Sequence, residues 1–260
     1  MNVLQAALLG LIQGLCEFLP VSSSGHLVLL QKIFDLSEGA LFFDTMLHVA
    51  TLFAVFWAFR RTIFSILRHP LSKLPRYIVL ATVPTVVITL LLKDFFTDAY
   101  GGGLLGWGFL LTSLILFLTG RIPKGTKTIE SMEPKDALLI GTLQGIAVLP
   151  GVSRSGSTIA GGLFAGLDRD FAAEFSFLMS IPAILGATVL QAADVIREGA
   201  SSVPWVPLLA GMAVAFLSGL AAIRWMLRLI RKGKLRGFAV YTLALGALVL
   251  ADQYLFHLFF

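Results

Sequence analysis

Charge is the first thing this sequence has little of. Of its 260 residues only 13% are Asp, Glu, Lys or Arg, about half of the roughly 25% usual in a globular domain. Too few solvating groups remain to cover a chain that is 57% apolar with a mean hydropathy of +0.88, so the bilayer is its expected solvent. A single cysteine, Cys16, excludes a disulfide framework and a cysteine-based zinc site and says nothing of redox compartment. Low-complexity, collagen-like and strongly acidic classes fail on the same composition. No Lys or Arg precedes Lys32, so the basic start of a cleaved leader is missing and residue 1 onward is read as mature chain.

What is present is long apolar runs. Crossing the hydrocarbon core takes about 20 residues at 1.5 Å rise. Candidate spans are 45–59 (back to 41 with Asp44 included), 77–92 with Pro84 inside, 99–120, 175–193, 199–223, and 237–251 with its apolar tail. Each is apolar all round, as a helix facing lipid and other helices must be. Fifteen of the 20 basic residues fall in three alternate loops. These are Arg60 to Arg76, Arg121 to Lys135, and Arg224 to Arg236. Lys and Arg accumulate on the cytoplasmic side, so these loops are placed there and the C-terminus outside. The net charge of +5 and pI near 9.6 then follow from topology and anionic headgroups, with no nucleic-acid partner to invoke.

Two apolar regions, 1–34 and 137–167, are interrupted by polar, Gly- and Pro-containing sequence, LLGLIQGLCEFLPVSSSGHLVLL at 8–30 and LLIGTLQGIAVLPGVSRSGSTIAGGL at 138–163. A shift of 131 positions superimposes Gly10 on Gly141, Gln13 on Gln144, Gly14 on Gly145, Ser22 on Ser153, Ser24 on Ser155 and Gly25 on Gly156. The chain therefore reads as one membrane domain, 1–260, built from two repeats, about 1–120 and 132–260. Each half-segment is too short to span, which favours re-entrant helix hairpins. Three crossings separate them, so the second enters from the opposite face and the two polar tips can meet. The expected fold is an all-α integral membrane protein of six transmembrane helices plus two inverted-repeat re-entrant hairpins. Half-helix N-termini offer free N–H groups and positive dipole ends to an anion.

Ionisable residues within membrane are costly and so are functional candidates. They are Glu17, His26, Asp44, His48, Arg154 and Glu174. Arg154, among Ser153, Ser155 and Gly156 at a helix start, suits phosphate oxygens; it could equally neutralise Glu17 or Glu174. Glu17 can hold a divalent cation or act as general base, and His26 can attack phosphorus or shuttle a proton. Ser22, Ser23 and Ser24 could supply a nucleophile, phosphate donors or only N-caps. Asp44 and His48, four apart on one helix face, are expected behind the site or near the interface.

The motifs QGLCEFLPVSSSGHL at 13–27 and LPGVSRSGSTIAGG at 149–162 closely resemble those of the bacterial undecaprenyl pyrophosphate phosphatases associated with bacitracin resistance. The likeness runs through the whole chain. It implies an inner-membrane, multi-pass hydrolase that converts undecaprenyl pyrophosphate to undecaprenyl phosphate and inorganic phosphate, recycling the carrier of cell-wall synthesis. It also implies a divalent cation, Mg or Ca, on Glu17, and a site open to the periplasmic or outer face. Carried over residue by residue, the catalytic set is Glu17, Ser23, His26 and Arg154, with His26 favoured over Ser23 as the proton-handling or nucleophilic group. Gln13, Ser22, Ser24, Gly25, Ser153, Ser155, Gly156 and Thr158 are assigned to substrate. Many relatives carry a glutamate where this chain has Gln13, so a metal held by two carboxylates is not assumed here, and Glu17 is expected to act with the Gln13 amide oxygen, substrate oxygens or water. Expected partners are the lipid substrate and membrane lipids; homo-oligomerisation is left open. The competing reading is a secondary transporter or flippase of a polyprenyl phosphate, which needs the anion site but no nucleophile.

Overall fold

The computed structural model describes residues 1–34, 40–198 and 204–260, with the side chains of 40, 41 and 190–198 outside that description. Among the described residues the chain is all-helical. The helices are α1 Val3–Phe18, α2 Ser23–Ile33, α3 Ala40–Ala58, α4 Arg60–Arg68, α5 Lys73–Leu91, α6 Lys93–Ala99, α7 Leu105–Thr119, α8 Pro134–Ile146, α9 Arg154–Phe164, α10 Arg169–Glu198, α11 Trp205–Arg231 and α12 Arg236–Ala251. Short polar side chains set the helix starts. Asn2 and Gln5 cap α1 reciprocally, and the Ser22 and Ser153 hydroxyls accept from Gly25 N and Gly156 N to start α2 and α9.

Four helices are long and apolar enough to cross a membrane: α5, α10 as far as Val189, α11, and α12 continued to Phe256. A fifth span is available if α3 and α4, bent by 80° at their break, count as one. The chain is thus multi-pass. Three expectations change. The stretch 99–120 is no single span, because α6 ends at Ala99 and α7 starts at Leu105, leaving a 15-residue helix. Between them Gly102 takes φ +102, a conformation open to glycine at no steric cost. The expected span at 199–223 starts partly outside the described residues, and its helix runs on to Arg231, carrying Arg224 and Arg228 that were expected in a loop. Long basic side chains reach water from a helix end without unwinding it. The first basic loop contains a helix of its own, α4.

The repeat extends beyond the motifs. α8, α9 and α12 begin at 134, 154 and 236, each 131 positions after α1, α2 and α7 at 3, 23 and 105. The packing pairs across the copies: α1 on α11 and α8 on α5, α3 on α10, α7 on α12. Glycine makes the first two pairs close. A Cβ at Gly10 or Gly14 would run into the α11 backbone at Gly211, Ala215 and Gly219, and one at Gly141 into that of Ala81 on α5. Small residues spaced by four let helix backbones approach, which drives association where lipid gives no hydrophobic gain.

Candidate active site

The two helix breaks, Leu19–Ser22 and Ala147–Ser153, meet inside the bundle. Contact needs glycine on both sides. A Cβ on Gly25 would lie 2.7 Å from the Phe109 ring and 3.0 Å from the Gly151 backbone, and one on Gly156 would lie 3.2 Å from Pro20. Because Pro20 and Gly151 are themselves repeat equivalents, each tip sits on the other in the same way. Ser155 Oγ donates to the Leu19 carbonyl across the junction at 3.0 Å. From α7, Thr112 satisfies the second break, accepting from Ser153 N and donating to the Gly151 carbonyl, both at 2.8 Å. Buried loop backbone must find such partners.

Ser23 and Arg154, each the first residue of its half-helix, are equivalents under the same shift, and both reach Glu17. Arg154 Nη2 pairs with Glu17 Oε1. Glu17 Oε2 accepts from Ser23 Oγ at 2.6 Å and Gln13 Nε2 at 3.0 Å. His48 Nε2 stands 3.8 Å from the same oxygen. The carboxylate is buried, 6% exposed, so the three donors on Arg154, Ser23 and Gln13 compensate the lost hydration. Among the described residues Arg154 Nη1 and Gln13 Oε1 are buried without a hydrogen-bond partner. A second N–H face of the guanidinium is therefore free for an oxyanion.

These groups border a cavity of about 400 Å³. Glu17, Ser22, Ser23, Ser24, Arg154 and Ser155 line it. Gln13, Gly25, Ser153, Gly156 and Thr158 do not: Gln13 acts through Glu17, the glycines pack the tips, Ser153 caps α9, and Thr158 bonds Ser176 Oγ at 2.6 Å behind the site. His26 is also outside the lining, with both ring nitrogens engaged, Nδ1 to the Ser22 carbonyl at 2.6 Å and Nε2 to Tyr241 Oη at 2.7 Å. Glu174 is remote and accepts from Thr62 at 3.0 Å. Arg154 is therefore the partner of Glu17 alone.

Asp44 and His48, expected behind the site, line the cavity itself together with Gln31, Tyr100 and Thr188. Gln31 Nε2 donates to both Asp44 oxygens at 2.8 and 2.9 Å. His48 Nδ1 faces the Asp44 carbonyl at 2.8 Å; a carbonyl only accepts, so this nitrogen carries a proton and Nε2 is turned toward Glu17. The charge of Asp44 and His48 within an apolar run and their four-residue spacing hinted at this, and no local signal marks Gln31, Tyr100, Thr188 or Tyr241.

The donor set at the tips offers a divalent cation one carboxylate, Glu17, and the unpartnered Gln13 Oε1 beside it. Glu17 is the one carboxylate at the tips, and both its oxygens are taken by N–H and O–H donors, one of them a guanidinium. No three His, Cys, Asp or Glu side chains cluster as ligands among the described residues, so an ion here would complete its shell with water and substrate phosphate oxygens.

Residues 6–248 match the family model described as bacitracin resistance protein BacA. The chain belongs to this family. It is 48% identical over 256 residues to an undecaprenyl-diphosphatase of Carboxydothermus hydrogenoformans, covering 97% of this chain and 98% of the relative. To undecaprenyl-diphosphatase 4 of Bacillus thuringiensis (strain Al Hakam) it is 44% identical over 255 residues, 98% of each chain. To the undecaprenyl-diphosphatase of Alkaliphilus metalliredigens it is 42% identical over 270 residues, 96% of this chain and 98% of the relative. Family membership thus spans both repeats and both tips, not one motif.

Proposed function

We propose that this member of the family is an integral-membrane undecaprenyl-diphosphatase whose reaction takes place where the two helix-hairpin tips meet. The observation that carries the reading is the juxtaposition of Ser23, Glu17 and Arg154 in one cavity, drawn from both repeats. A hydroxyl donating to a buried carboxylate beside a guanidinium with a free N–H face supplies a nucleophile, a base and an oxyanion clamp. A carrier needs only the last.

In the proposed reaction Arg154 and the N-termini of α2 and α9 hold the terminal phosphoryl group, since phosphoryl transfer depends mainly on positioning and electrostatics. Ser23 Oγ attacks the terminal phosphorus, and its proton passes through Glu17 to the bridging oxygen as that P–O bond breaks and undecaprenyl phosphate leaves, which frees the Glu17 carboxylate. Water then attacks the phosphoserine, giving a proton to Glu17, and the Ser23 hydroxyl is re-formed as inorganic phosphate leaves. Of the two nucleophiles weighed from sequence, Ser23 is favoured because it faces the cavity. Mg or Ca, which the resemblance implies, enters as the salt of the pyrophosphate substrate. Titrating substrate-free protein with either ion in a calorimeter is expected to give no binding heat; stoichiometric binding abolished by Glu17→Gln would place the ion on the protein.

The finer topology is part of the same proposal. Both hairpins are re-entrant, because α1, α2, α8 and α9 have 16, 11, 13 and 11 residues, at most about 24 Å of helix against a core of about 30 Å. With α3, α5, α7 together with the turn before it, α10, α11 and α12 as crossings they form inverted repeats. The cavity lies toward the end of the bundle away from the basic loops. It is lined by Asp44 and His48 early in α3, Tyr100 before α7 and Ala183 to Thr188 midway along α10, whereas Arg60 and Arg121 follow the far ends of α3 and α7 and Arg169 starts α10. With the basic loops cytoplasmic, the site opens to the outer face of the bacterial inner membrane.

The test is phosphate release from undecaprenyl pyrophosphate by purified protein in detergent. Wild type is expected to release one phosphate per lipid, and Ser23→Ala to fall by at least about 10³-fold, the scale of losing a nucleophile. A well-folded wild type that binds the lipid but releases no phosphate would leave the transporter reading.

A further inference from the structure

Ser22 has φ +70. Apart from glycines, only His257 near the C-terminus shares a positive φ among the described residues. Such a backbone persists only where its surroundings over-determine it, and Ser22 is the residue immediately before Ser23. What holds it is His26. The ring's Nδ1 lies 2.6 Å from the Ser22 carbonyl, and since a carbonyl can only accept, Nδ1 must carry the proton. In the neutral ring Nε2 is then an acceptor, and Tyr241 Oη at 2.7 Å donates to it. The ring is clamped edge-on by Phe109, at 5.4 Å and 83°, and lies parallel to Tyr241, at 5.7 Å and 9°. It is 6% exposed and outside the cavity lining.

The second repeat is an internal control. Ser153, the equivalent of Ser22, has φ −75, and the equivalent of His26 is Ser157, which offers Ser153 only its ordinary helical N–H at 2.8 Å. The strained turn and the imidazole occur in the same copy, the one that presents a hydroxyl to Glu17.

We propose that Tyr241, on α12, is a positioning residue: its hydroxyl fixes the His26 tautomer that holds the Ser22 carbonyl, and so the turn that aims Ser23 at Glu17. His26 on this reading neither attacks phosphorus nor exchanges a proton with the reacting atoms. The inference rests on the phosphatase reading above, with Ser23 as nucleophile.

Asparagine and glutamine separate the two roles of the imidazole. Asn places its amide nitrogen where Nδ1 sits and can donate to the Ser22 carbonyl; Gln places it where Nε2 sits and cannot. Neither is a nucleophile or a base. The experiment measures phosphate release and thermal midpoint for purified wild type, His26→Asn, His26→Gln, His26→Ala, Tyr241→Phe and the double variant His26→Asn/Tyr241→Phe. His26→Asn is expected to keep kcat within about tenfold of wild type, while His26→Gln and His26→Ala fall about 100-fold, the scale of a displaced reacting group. Tyr241→Phe is expected to lower kcat about fivefold, the scale of one hydrogen bond, with KM within about twofold. In the His26→Asn background the same change should do nothing, because Asn has no Nε2 to hold. A folded His26→Asn as inactive as His26→Ala, or a Tyr241→Phe equal to wild type, overturns the proposal and leaves the phosphatase reading intact. A wild type without phosphate release overturns that reading, and this inference with it.

Discussion

Arg154→Ala is expected to lower phosphate release from a polyprenyl pyrophosphate about 10³-fold and to raise KM, because removing one buried donor to a developing oxyanion costs on that order. Arg154 is the only cation the two tips carry, and it does two jobs. Nη2 neutralises Glu17 and Nη1 has no partner among the described residues. In the proposed reaction an incoming pyrophosphate meets that free face and competes with Glu17 for the other. Arg154→Lys keeps the charge but cannot bridge a carboxylate and a phosphate in one plane, so its rate should fall between wild type and the alanine variant. Truncation also strands Glu17 in a 6%-exposed position, and breaking a buried pair costs about 3–5 kcal/mol. Thermal midpoints therefore belong beside the rates. If Arg154→Ala, fully folded, released phosphate at the wild-type rate, Arg154 would not be the clamp.

Glu17→Gln should separate binding from chemistry. The amide is isosteric and can still accept from Ser23, but it cannot take a proton, and loss of general base catalysis typically costs about 10²–10⁴. KM is expected to stay level or fall. A negative charge beside Arg154 repels the pyrophosphate, and the neutral amide removes it while leaving the guanidinium in place. A collapse of kcat without a rise in KM is the signature of a base. A raised KM with kcat preserved would instead mark Glu17 as a binding group, as a carrier or a metal site would have it.

The centre of this site was legible because the sequence repeats itself. Ser22 and Ser153 as caps follow from two copies of one broken motif, and Glu17 and Arg154, which the copies do not share, draw attention by the cost of a charge in an apolar segment. The rim was hidden. Asp44 and His48 lie on a helix that reaches the tips only through the packing of α3 on α1 and α11, and their spacing states which face they share, not what that face meets. Tyr241 lies 215 positions from its partner His26 and reads in sequence as one more lipid-facing aromatic. Hydropathy also misplaced the ends of spans. It runs unbroken through Gly101, Gly102 and Gly103, where the backbone turns, and stops at Ile223, where α11 continues for two more turns because arginines can reach water from a helix.

The assembly of one catalytic unit from both tips is tested most directly by a double-mutant cycle on kcat/KM for phosphate release, with Glu17→Gln and Arg154→Gln alone and together. Groups that act as a unit are strongly non-additive. The double variant is expected to be no slower than the worse single variant, within about tenfold. If the two losses simply multiply, Glu17 and Arg154 work independently, and the junction of the two hairpins is not the reacting centre.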